Sequence, residues 1–382
     1  MEALTDKLWV SVDLLGQLSF ANGVNAMKET RSTKHHQPSL MRYIMLLVMT
    51  LLCTLGFYGL RLYSQAKYTA ETMYTPTTAG KQAAAKIKAR KPISILLLGA
   101  DTGAVGRTYQ GNSDTMIICT IDPQHSQTKL LSIPRDTNAE IVGTENFRMF
   151  KINDAYTRGG STMARATAEK LLNVPLNYFV TIDMGGLQTI VDALGGVDVL
   201  VPFSFTSSHT GNQHFTKGMM HLDGEHALAY ARMRYEDPKG DYGRQQRQQQ
   251  IIKAVVKKAI STKGLTQFSA ILKTLSKNVK TDLSFDDMVA IFQNYRGAAK
   301  HISTTSLQGY EGLVQTTASA DPLSFQIPAT KTLQAASNEL RTTLGLSKAK
   351  LTNATTKENT LNPDFIFGPV QGKQYFVNYV LN

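Results

Sequence analysis

A long uncharged apolar run lies near the start of the chain and extends from Tyr43 to Leu60. A helix needs roughly 17–25 predominantly apolar residues to cross a bilayer core, so this run predicts one transmembrane helix over residues 43–63. Clustered lysine and arginine usually remain in the cytoplasm, and residues 1–42 are therefore expected there, with the rest of the chain outside the cell. A cleaved signal peptide is the alternative, but no small-x-small cleavage pattern closes the run. The basic residues before the run are Lys28, Arg31, Lys34 and Arg42.

Shorter apolar runs further along the chain predict the elements of one large domain. The β-rich runs Ile93–Leu98 and Thr115–Ile121 are typical of buried central strands, and Leu130–Ile133 is expected to pair beside them. Helical spacing between Gly160 and Leu172 precedes a strand at Tyr178–Asp183. Alternation of this kind predicts an α/β fold in which a central mixed sheet is flanked by helices. A helix over Leu187–Leu194 and a strand over Val197–Val201 continue the alternation.

Later segments give three more helices and the domain limits. Glu225–Met233 and Arg244–Ile260 have helical patterns, and Ser284 to Asp287 forms a capping box that predicts a helix through Ala299. We expect an extracellular tether over residues 64–90, a catalytic domain over 91–346 with its motifs in 93–260, and a C-terminal tail over 347–382.

The chain carries a formal net charge of +12, which indicates an acidic partner. No helix-turn-helix, zinc-finger or aromatic RNA-binding signature accompanies this charge, and an extracellular domain rarely meets nucleic acid. Anionic wall polymers or phospholipid headgroups fit better, and the alternative is that the excess charge only keeps the chain soluble. Cys53 lies in the apolar run and Cys119 in a predicted buried strand, so no disulfide between them is expected.

Two aspartates flank the loop between the first two predicted strands. Asp101 follows the first strand and its terminal Gly99, and Asp114 lies just before the second strand. Ligands of open α/β folds usually bind at such a sheet edge. Two carboxylates, together with phosphate oxygens and water, are a normal shell for Mg²⁺. Each aspartate alone would more often cap a turn or strand. The prediction of a Mg²⁺ site therefore depends on the two aspartates occurring together.

Arginines recur after these aspartates. Pro134 ends a strand and aims Arg135 out of the sheet. Arg232 and Arg234 point to the same side only if the preceding helix ends near Ala231. Arg244 and Arg247 lie three residues apart in the expected first turn of a helix, where an anion would offset their unfavourable interaction with the helix dipole. Neutralisation by two nearby acids is the alternative for this last pair. Those acids are Asp237 and Asp241.

The motifs in this order resemble the LytR-CpsA-Psr family of Gram-positive cell-wall enzymes, over about residues 93–260. They are Leu98-Gly-Ala-Asp101, Ser113-Asp-Thr-Met116, Ser132-Ile-Pro-Arg-Asp136, Lys151-Ile-Asn-Asp-Ala155, Asp183-Met-Gly-Gly186, Asp192-Ala-Leu-Gly-Gly-Val197, Leu222-Asp-Gly224, and Ala231-Arg-Met-Arg-Tyr235 followed by Gly243-Arg-Gln-Gln-Arg247. One departure is visible. The family often has an arginine before Ser-Asp-Thr, where this chain has Asn112, and Arg107 from the same loop is the expected substitute.

The resemblance implies a phosphotransferase of the plasma membrane. It would move a glycopolymer, such as teichoic acid or capsule polysaccharide, from a polyprenyl pyrophosphate carrier to the muramic acid 6-hydroxyl of peptidoglycan. Asp101 and Asp114 would hold Mg²⁺, with Mn²⁺ as a substitute, and apolar side chains would enclose the prenyl tail. Asp101, Arg135 and Arg234 would carry the catalysis, with Asp101 also the candidate general base. The arginines that would bind the pyrophosphate are Arg135, Arg232, Arg234, Arg244, Arg247 and Arg107.

Two other functions remain open at this point. A pyrophosphatase would pass the same lipid-linked intermediate to water instead of to peptidoglycan. A membrane-anchored regulator or polyanion-binding module would use the basic surface without chemistry, and its function would survive Asp101→Ala.

Overall fold

The computed structural model of the protein describes residues 40–101, 111–207, 211–261, 271–272, 274–314 and 323–365. A six-stranded mixed sheet forms the centre of the fold. The first strand of the chain pairs parallel to one neighbour and antiparallel to the other, which confirms the predicted α/β fold with a mixed sheet. In spatial order the strands are β11 (Val279–Thr281), β6 (Tyr178–Asp183), β1 (Ile93–Ala100), β2 (Ser113–Asp122), β3 (Gln127–Ser132) and β12 (His301–Ser306).

Helices cover both faces of this sheet, which explains why its central strands read as nearly continuous apolar runs. On one face, α3 (Asp154–Leu172) and α8 (Thr330–Thr343) pack on side chains such as Leu96 and Leu98. On the other face, α2 (Thr78–Lys88), α6 (Gly240–Ser261) and α7 (Phe285–Asn294) pack on side chains such as Ile117.

A third apolar cluster packs against α6. It joins α4 (Met184–Ala193), α5 (Gly224–Arg232) and the antiparallel pair β7 (Val197–Val201) and β10 (Gly218–Leu222). The remaining short strands form three antiparallel pairs. They are β4 (Asn138–Glu140) with β5 (Met149–Lys151), β8 (Phe205–Ser207) with β9 (Gln213–Phe215), and β13 (Tyr310–Val314) with β14 (Leu323–Ile327).

Helix α1 (Leu40–Met73) contains the predicted membrane span. In the described part of the chain it is the one helix with the length and apolar composition that a membrane crossing requires. Every residue from 40 to 60 is exposed, as a lipid-facing segment would be in the absence of a bilayer.

The expected tether is largely helical and belongs to the folded domain. The last part of α1 buries Ala66, Ala70 and Met73, and α2 buries Ile87. Thr77 caps α2 by accepting a hydrogen bond from the amide of Gly80. The Ala- and Lys-rich composition resembles a linker, but the spacing of its apolar residues buries one helical stripe.

Part of the expected tail also belongs to the folded domain. Helix α9 (Ala354–Leu361) begins with a capping box at Asn353, whose amide donates to the carbonyl oxygen of Leu171 at 2.6 Å. Leu351 before it is 3% exposed. The end of the expected tail, residues 366–382, lies outside the described residues.

Two predicted helix limits were wrong. The capping box of Ser284 and Asp287 is confirmed, but α7 ends at Asn294 and a 3₁₀ turn follows over Arg296–Lys300. Helix α6 begins at Gly240, so Arg244 and Arg247 lie beyond its first turn. The free amides of that turn are therefore not beside these arginines, and the argument from the helix dipole does not apply to them.

Candidate active site

A cavity of about 600 Å³ lies between β1 and β6 of the sheet and helices α4, α5 and α6. Four arginines and Asp114 line it near the start of α6, whereas Val255 and Val256 line it about 18 Å further along that helix. The cavity is therefore charged at one end and apolar at the other. Its apolar side chains include Leu97, Ile182, Leu187, Ile190, Leu228, Ile251, Ile252, Val255 and Val256.

The charged end lies at one edge of the sheet. Ala100, the last residue of β1, pairs with Asp183 on β6 and with Ser113 on β2. Strand β3 ends at the same edge, and Ile133 and Pro134 lead from it to Arg135. The parallel strands β1 and β6 thus end at the cavity, and Asp114 near the start of β2 lies at the same edge of the sheet.

Arg135 is held at the cavity by carboxylates. Its Nη1 donates to Asp114 Oδ1 at 2.6 Å, and Asp136 lies 3.5 Å from its Nε. Burial alone would lower the pKa of Arg135, but the hydrogen bond and charge of Asp114 outweigh burial and raise it. The contact to Asp136 does not satisfy hydrogen-bond geometry, so the buried Nε of Arg135 makes no hydrogen bond within the described residues.

Arg244 is the most buried arginine among the cavity residues, with 7% of its surface exposed. Its Nη2 donates to Asp241 Oδ1 at 2.6 Å, whereas its buried Nε makes no hydrogen bond to the described residues. Burial lowers the pKa of Arg244, and the charge of Arg135 adds to this effect against the opposing charge of Asp241. An arginine nevertheless stays charged at neutral pH. An anion in the cavity could accept a hydrogen bond from Nε of Arg244.

Arg232 and Arg234 also line the cavity. Helix α5 ends at Arg232, and Met233 is extended with φ −54° and ψ 133°. This meets the condition derived from the sequence, because an extended residue between them brings both side chains toward the same side. Arg234 approaches Asp241 only to 4.0 Å and stays partly exposed.

Arg247 does not line the cavity. It is 2% exposed, and its Nη1 forms an ion pair with Asp237, which is the neutralisation that the sequence left open. Its Nε donates to the carbonyl oxygen of Tyr230 at 3.0 Å, and its Nη2 donates to that of Met233. Every nitrogen of the guanidinium group is thus engaged with the segment that carries Arg232 and Arg234.

Asp101 stands next to the cavity rather than in its lining. Its amide donates to the carbonyl oxygen of Asn112 at 3.1 Å, so Asp101 lies opposite Asn112, two residues before Asp114. No group of three or more His, Cys, Asp or Glu side chains with metal-ligand geometry occurs in the described residues. Two carboxylates suit Mg²⁺ only if substrate phosphates complete its shell. Arg107 lies outside the described residues.

Sequence reasoning gave no role to Asp183, which also lines the cavity. Asp183 caps α4 by accepting a hydrogen bond from the amide of Gly186 at 2.8 Å. Burial raises its pKa, against the lowering effect of the Gly186 and Gly185 amides. It forms no ion pair in the described part of the chain. Its position as the last residue of a predicted strand was the signal that could have identified it. Tyr235 and Gln248 also line the cavity and were not predicted.

Comparison with known proteins gives a consistent result. The profile of the LytR_cpsA_psr family matches residues 60–342. The Polyisoprenyl-teichoic acid--peptidoglycan teichoic acid transferase TagU of Enterococcus faecalis is 39% identical over 298 residues, which cover 78% of this chain and 95% of TagU.

Two solved structures extend the comparison. An Enterococcus faecalis protein described as the transcriptional regulator EF0465 superposes with a TM-score of 0.61 and 36% identity, covering 72% of this chain and 95% of its own. TagT bound to LIIa-WTA superposes with a TM-score of 0.56 and 27% identity, covering 72% of this chain and 96% of its own.

Proposed function

The chain belongs to the LytR-CpsA-Psr family, and from this membership we propose that it is a transferase that attaches a glycopolymer to peptidoglycan. The donor would be the glycopolymer on a polyprenyl pyrophosphate carrier. The acceptor would be the muramic acid 6-hydroxyl of peptidoglycan, and the product a phosphodiester.

One observation carries this proposal. Two buried guanidinium donors, Nε of Arg135 and Nε of Arg244, make no hydrogen bond within the described residues, and both belong to the charged end of a cavity that continues as an apolar channel. A buried donor without an acceptor costs roughly 1–3 kcal/mol, so such donors indicate a missing ligand. A ligand with a pyrophosphate head and a hydrocarbon tail would satisfy both ends of the cavity.

The reaction exchanges one phosphoester bond for another. The acceptor hydroxyl oxygen attacks the phosphorus that bears the glycan, the bond from that phosphorus to the bridging oxygen breaks, and polyprenyl phosphate leaves with the electron pair. Negative charge grows on the phosphoryl oxygens during this step. Arg135, Arg234 and Arg244 would stabilise that charge, and positioning with positive potential supplies most of the acceleration in such reactions.

A carboxylate at this sheet edge would take the hydroxyl proton. Asp183 is better located than Asp101, because Asp183 lines the cavity and forms no ion pair within the described residues. Its raised pKa makes it a stronger proton acceptor than an ordinary aspartate.

We further propose that Asp101 and Asp114 hold Mg²⁺, or Mn²⁺ in its place, together with phosphate oxygens of the donor. When bound, the cation would neutralise phosphate charge. Support comes from the neighbouring positions of the two residues where β1 ends and β2 begins, and from the hydrogen bond of Asp114 to Arg135, which uses Oδ1.

The protein would work at the plasma membrane. Helix α1 would cross the bilayer with the basic N-terminal residues in the cytoplasm, and the folded domain would face outward, where peptidoglycan and the lipid-linked donor meet.

A conjugation assay tests the proposed function. Full-length protein in detergent receives a polyprenyl-pyrophosphoryl glycan, Mg²⁺ and peptidoglycan oligomers, and mass spectrometry measures the products. We expect a glycan-peptidoglycan conjugate, which Arg244→Gln abolishes and Arg90→Gln, at an exposed position outside the cavity, leaves unchanged. Free phosphorylated glycan without conjugate would identify a pyrophosphatase. A regulatory role is the other candidate, because EF0465 is described as a transcriptional regulator. That role predicts no turnover in this assay and an Asp101→Ala variant that regulates as well as wild type.

A further inference from the structure

A second concave site, which we call the polar groove, lies between α6 and the edge strand β12. Its volume is about 370 Å³, within the range of sites that bind small molecules. The residues that line it are Gln246, Gln249, Gln250, Lys253, Thr304, Thr305, Ser306 and Gln308.

The chemistry of this lining is uniform. Every lining side chain is an amide or a hydroxyl except Lys253, and no carboxylate, aliphatic or aromatic side chain takes part. Amides and hydroxyls both donate and accept hydrogen bonds. A sugar hydroxyl also does both, so a carbohydrate can pair with each wall of the groove, whereas an apolar ligand cannot.

Gln249 is the fixed element of the groove, because it is 3% exposed and both hydrogen bonds that it donates hold it to the sheet. Its Nε2 donates to Ser132 Oγ at 2.8 Å and to the carbonyl oxygen of Thr305 at 2.6 Å. No described residue donates to its Oε1. Gln249 is therefore a preoriented acceptor whose conformational entropy is already lost before a ligand binds.

The polar groove shares α6 with the charged cavity. Gln248 and Ile251 line the cavity, and Gln249 and Gln250 line the groove, since successive helical residues point about 100° apart. Arg244 in the cavity and Gln246 in the groove are two residues apart, a rise of about 3 Å and a rotation of about 200°, so the two sites lie on opposite sides of α6. A glycan that occupies both sites would pass around this helix.

We propose that the polar groove binds a segment of a polyhydroxylated glycan whose reacting end lies in the charged cavity. This rests on the proposed function for the identity of the glycan, which belongs either to the peptidoglycan acceptor or to the polyol phosphate donor. Lys253 would pair with an anionic group of either one.

An extended peptide paired with the edge of β12 is the alternative occupant. The groove favours a carbohydrate, because Gln249 already donates to the carbonyl of Thr305 and so interrupts the row of backbone acceptors that an added strand needs.

Calorimetric titration of the full-length protein in detergent tests the groove. The probes are a tetrasaccharide of alternating N-acetylglucosamine and N-acetylmuramic acid, an oligomer of glycerol phosphate, and an extended peptide of Ser and Thr. The variant Gln246→Ala/Gln308→Ala changes two exposed groove residues, and its matched control Gln82→Ala/Gln293→Ala changes two exposed glutamines of α2 and α7.

We expect the groove variant to weaken binding of one carbohydrate probe about tenfold, as the loss of two hydrogen bonds predicts, with the control unchanged. Loss confined to the tetrasaccharide assigns the groove to the acceptor. Loss confined to glycerol phosphate, repeated by Lys253→Ala, assigns it to the donor. Equal binding by variant and wild type, no binding of either carbohydrate, or binding of the peptide alone would overturn the proposal.

These titrations involve no turnover. Their result therefore does not depend on whether the protein transfers the glycan to peptidoglycan or hydrolyses the lipid-linked donor. If the conjugation assay succeeds, the groove variant should also raise the KM of the glycan that binds there without lowering kcat. A fall in kcat at unchanged KM would contradict a binding role.

Discussion

Nη2 of Arg247 donates a hydrogen bond to the carbonyl oxygen of Met233, the residue between Arg232 and Arg234. The same guanidinium group also binds the carbonyl oxygen of Tyr230 and the carboxylate of Asp237. Arg247 therefore fixes the backbone that carries two cavity arginines, and its contribution to the site is positional.

Arg247→Lys is expected to lower both stability and transfer. Lysine keeps the charge but cannot reach two carbonyls and a carboxylate at once, so the free energy of unfolding should fall by about 1–3 kcal/mol. Thermal unfolding and the conjugation assay measure the two effects. Arg244→Lys is the comparison, because it should impair transfer with little change in stability. A stable Arg247→Lys protein with full activity would contradict this role.

Arg244→Gln should separate binding from folding. Its Nε has no acceptor among the described residues, so a bound phosphate would gain a charged hydrogen bond that the variant lacks. Affinity for polyprenyl pyrophosphate should fall about 10- to 100-fold, and the free energy of unfolding reports separately on the lost ion pair with Asp241. Titration and denaturant unfolding of the same preparation test both statements, and unchanged affinity would remove Arg244 from the site.

Asp183 and Asp223 are matched helix caps whose pKa values shift in opposite directions. Burial raises the pKa of Asp183, whereas the backbone hydrogen bond from His226 lowers that of Asp223. The protonated form of Asp183 is thus favoured by folding, and its contribution is lost as the pH rises through the raised pKa. The ionised form of Asp223 is favoured, and its contribution is lost as the pH falls through the lowered pKa.

Asparagine substitutions should reveal this difference. At neutral pH, Asp183→Asn should be more stable than wild type and Asp223→Asn less stable. The Asp183 difference should shrink as the pH falls through the raised pKa and be absent below about pH 3.9, whereas the Asp223 difference should begin to shrink only below about pH 3.9. Asp183→Asn should also lose transfer if Asp183 accepts the hydroxyl proton. Unfolding curves across this pH range test the shifts, and an active Asp183→Asn protein would exclude Asp183 as the base.

The apolar end of the cavity should determine how well donors with long prenyl chains are used. Val256→Trp would fill this end, so turnover of a long-chain polyprenyl donor should fall about tenfold or more while that of a geranyl donor changes little. Val289→Trp on α7, a half-buried position outside the cavity, is the control. An equal loss for both donors would indicate that the tail binds elsewhere.

The sequence was enough to predict the central sheet, the arginines at the edge of that sheet, and the apolar helix that could span a membrane. Each of these features leaves a local pattern in the sequence. Buried strands read as apolar runs, and Pro134 marks the point where Arg135 leaves the sheet. The role of Arg247 could not be predicted in this way. It depends on the carbonyls of Tyr230 and Met233, which carry no side-chain signal, and on the start of α6 at Gly240 rather than near Arg244. The helical packing of residues 64–90 escaped prediction because small alanines bury a stripe without a strong apolar pattern.

A crystal structure of the protein with a bound polyprenyl pyrophosphate would show whether one ligand occupies both ends of the cavity. We expect phosphate oxygens within hydrogen-bond distance of Nε of both Arg135 and Arg244, and a prenyl tail along α6 toward Val255 and Val256. A pyrophosphate bound away from these two arginines, or a tail on the protein surface, would contradict this expectation.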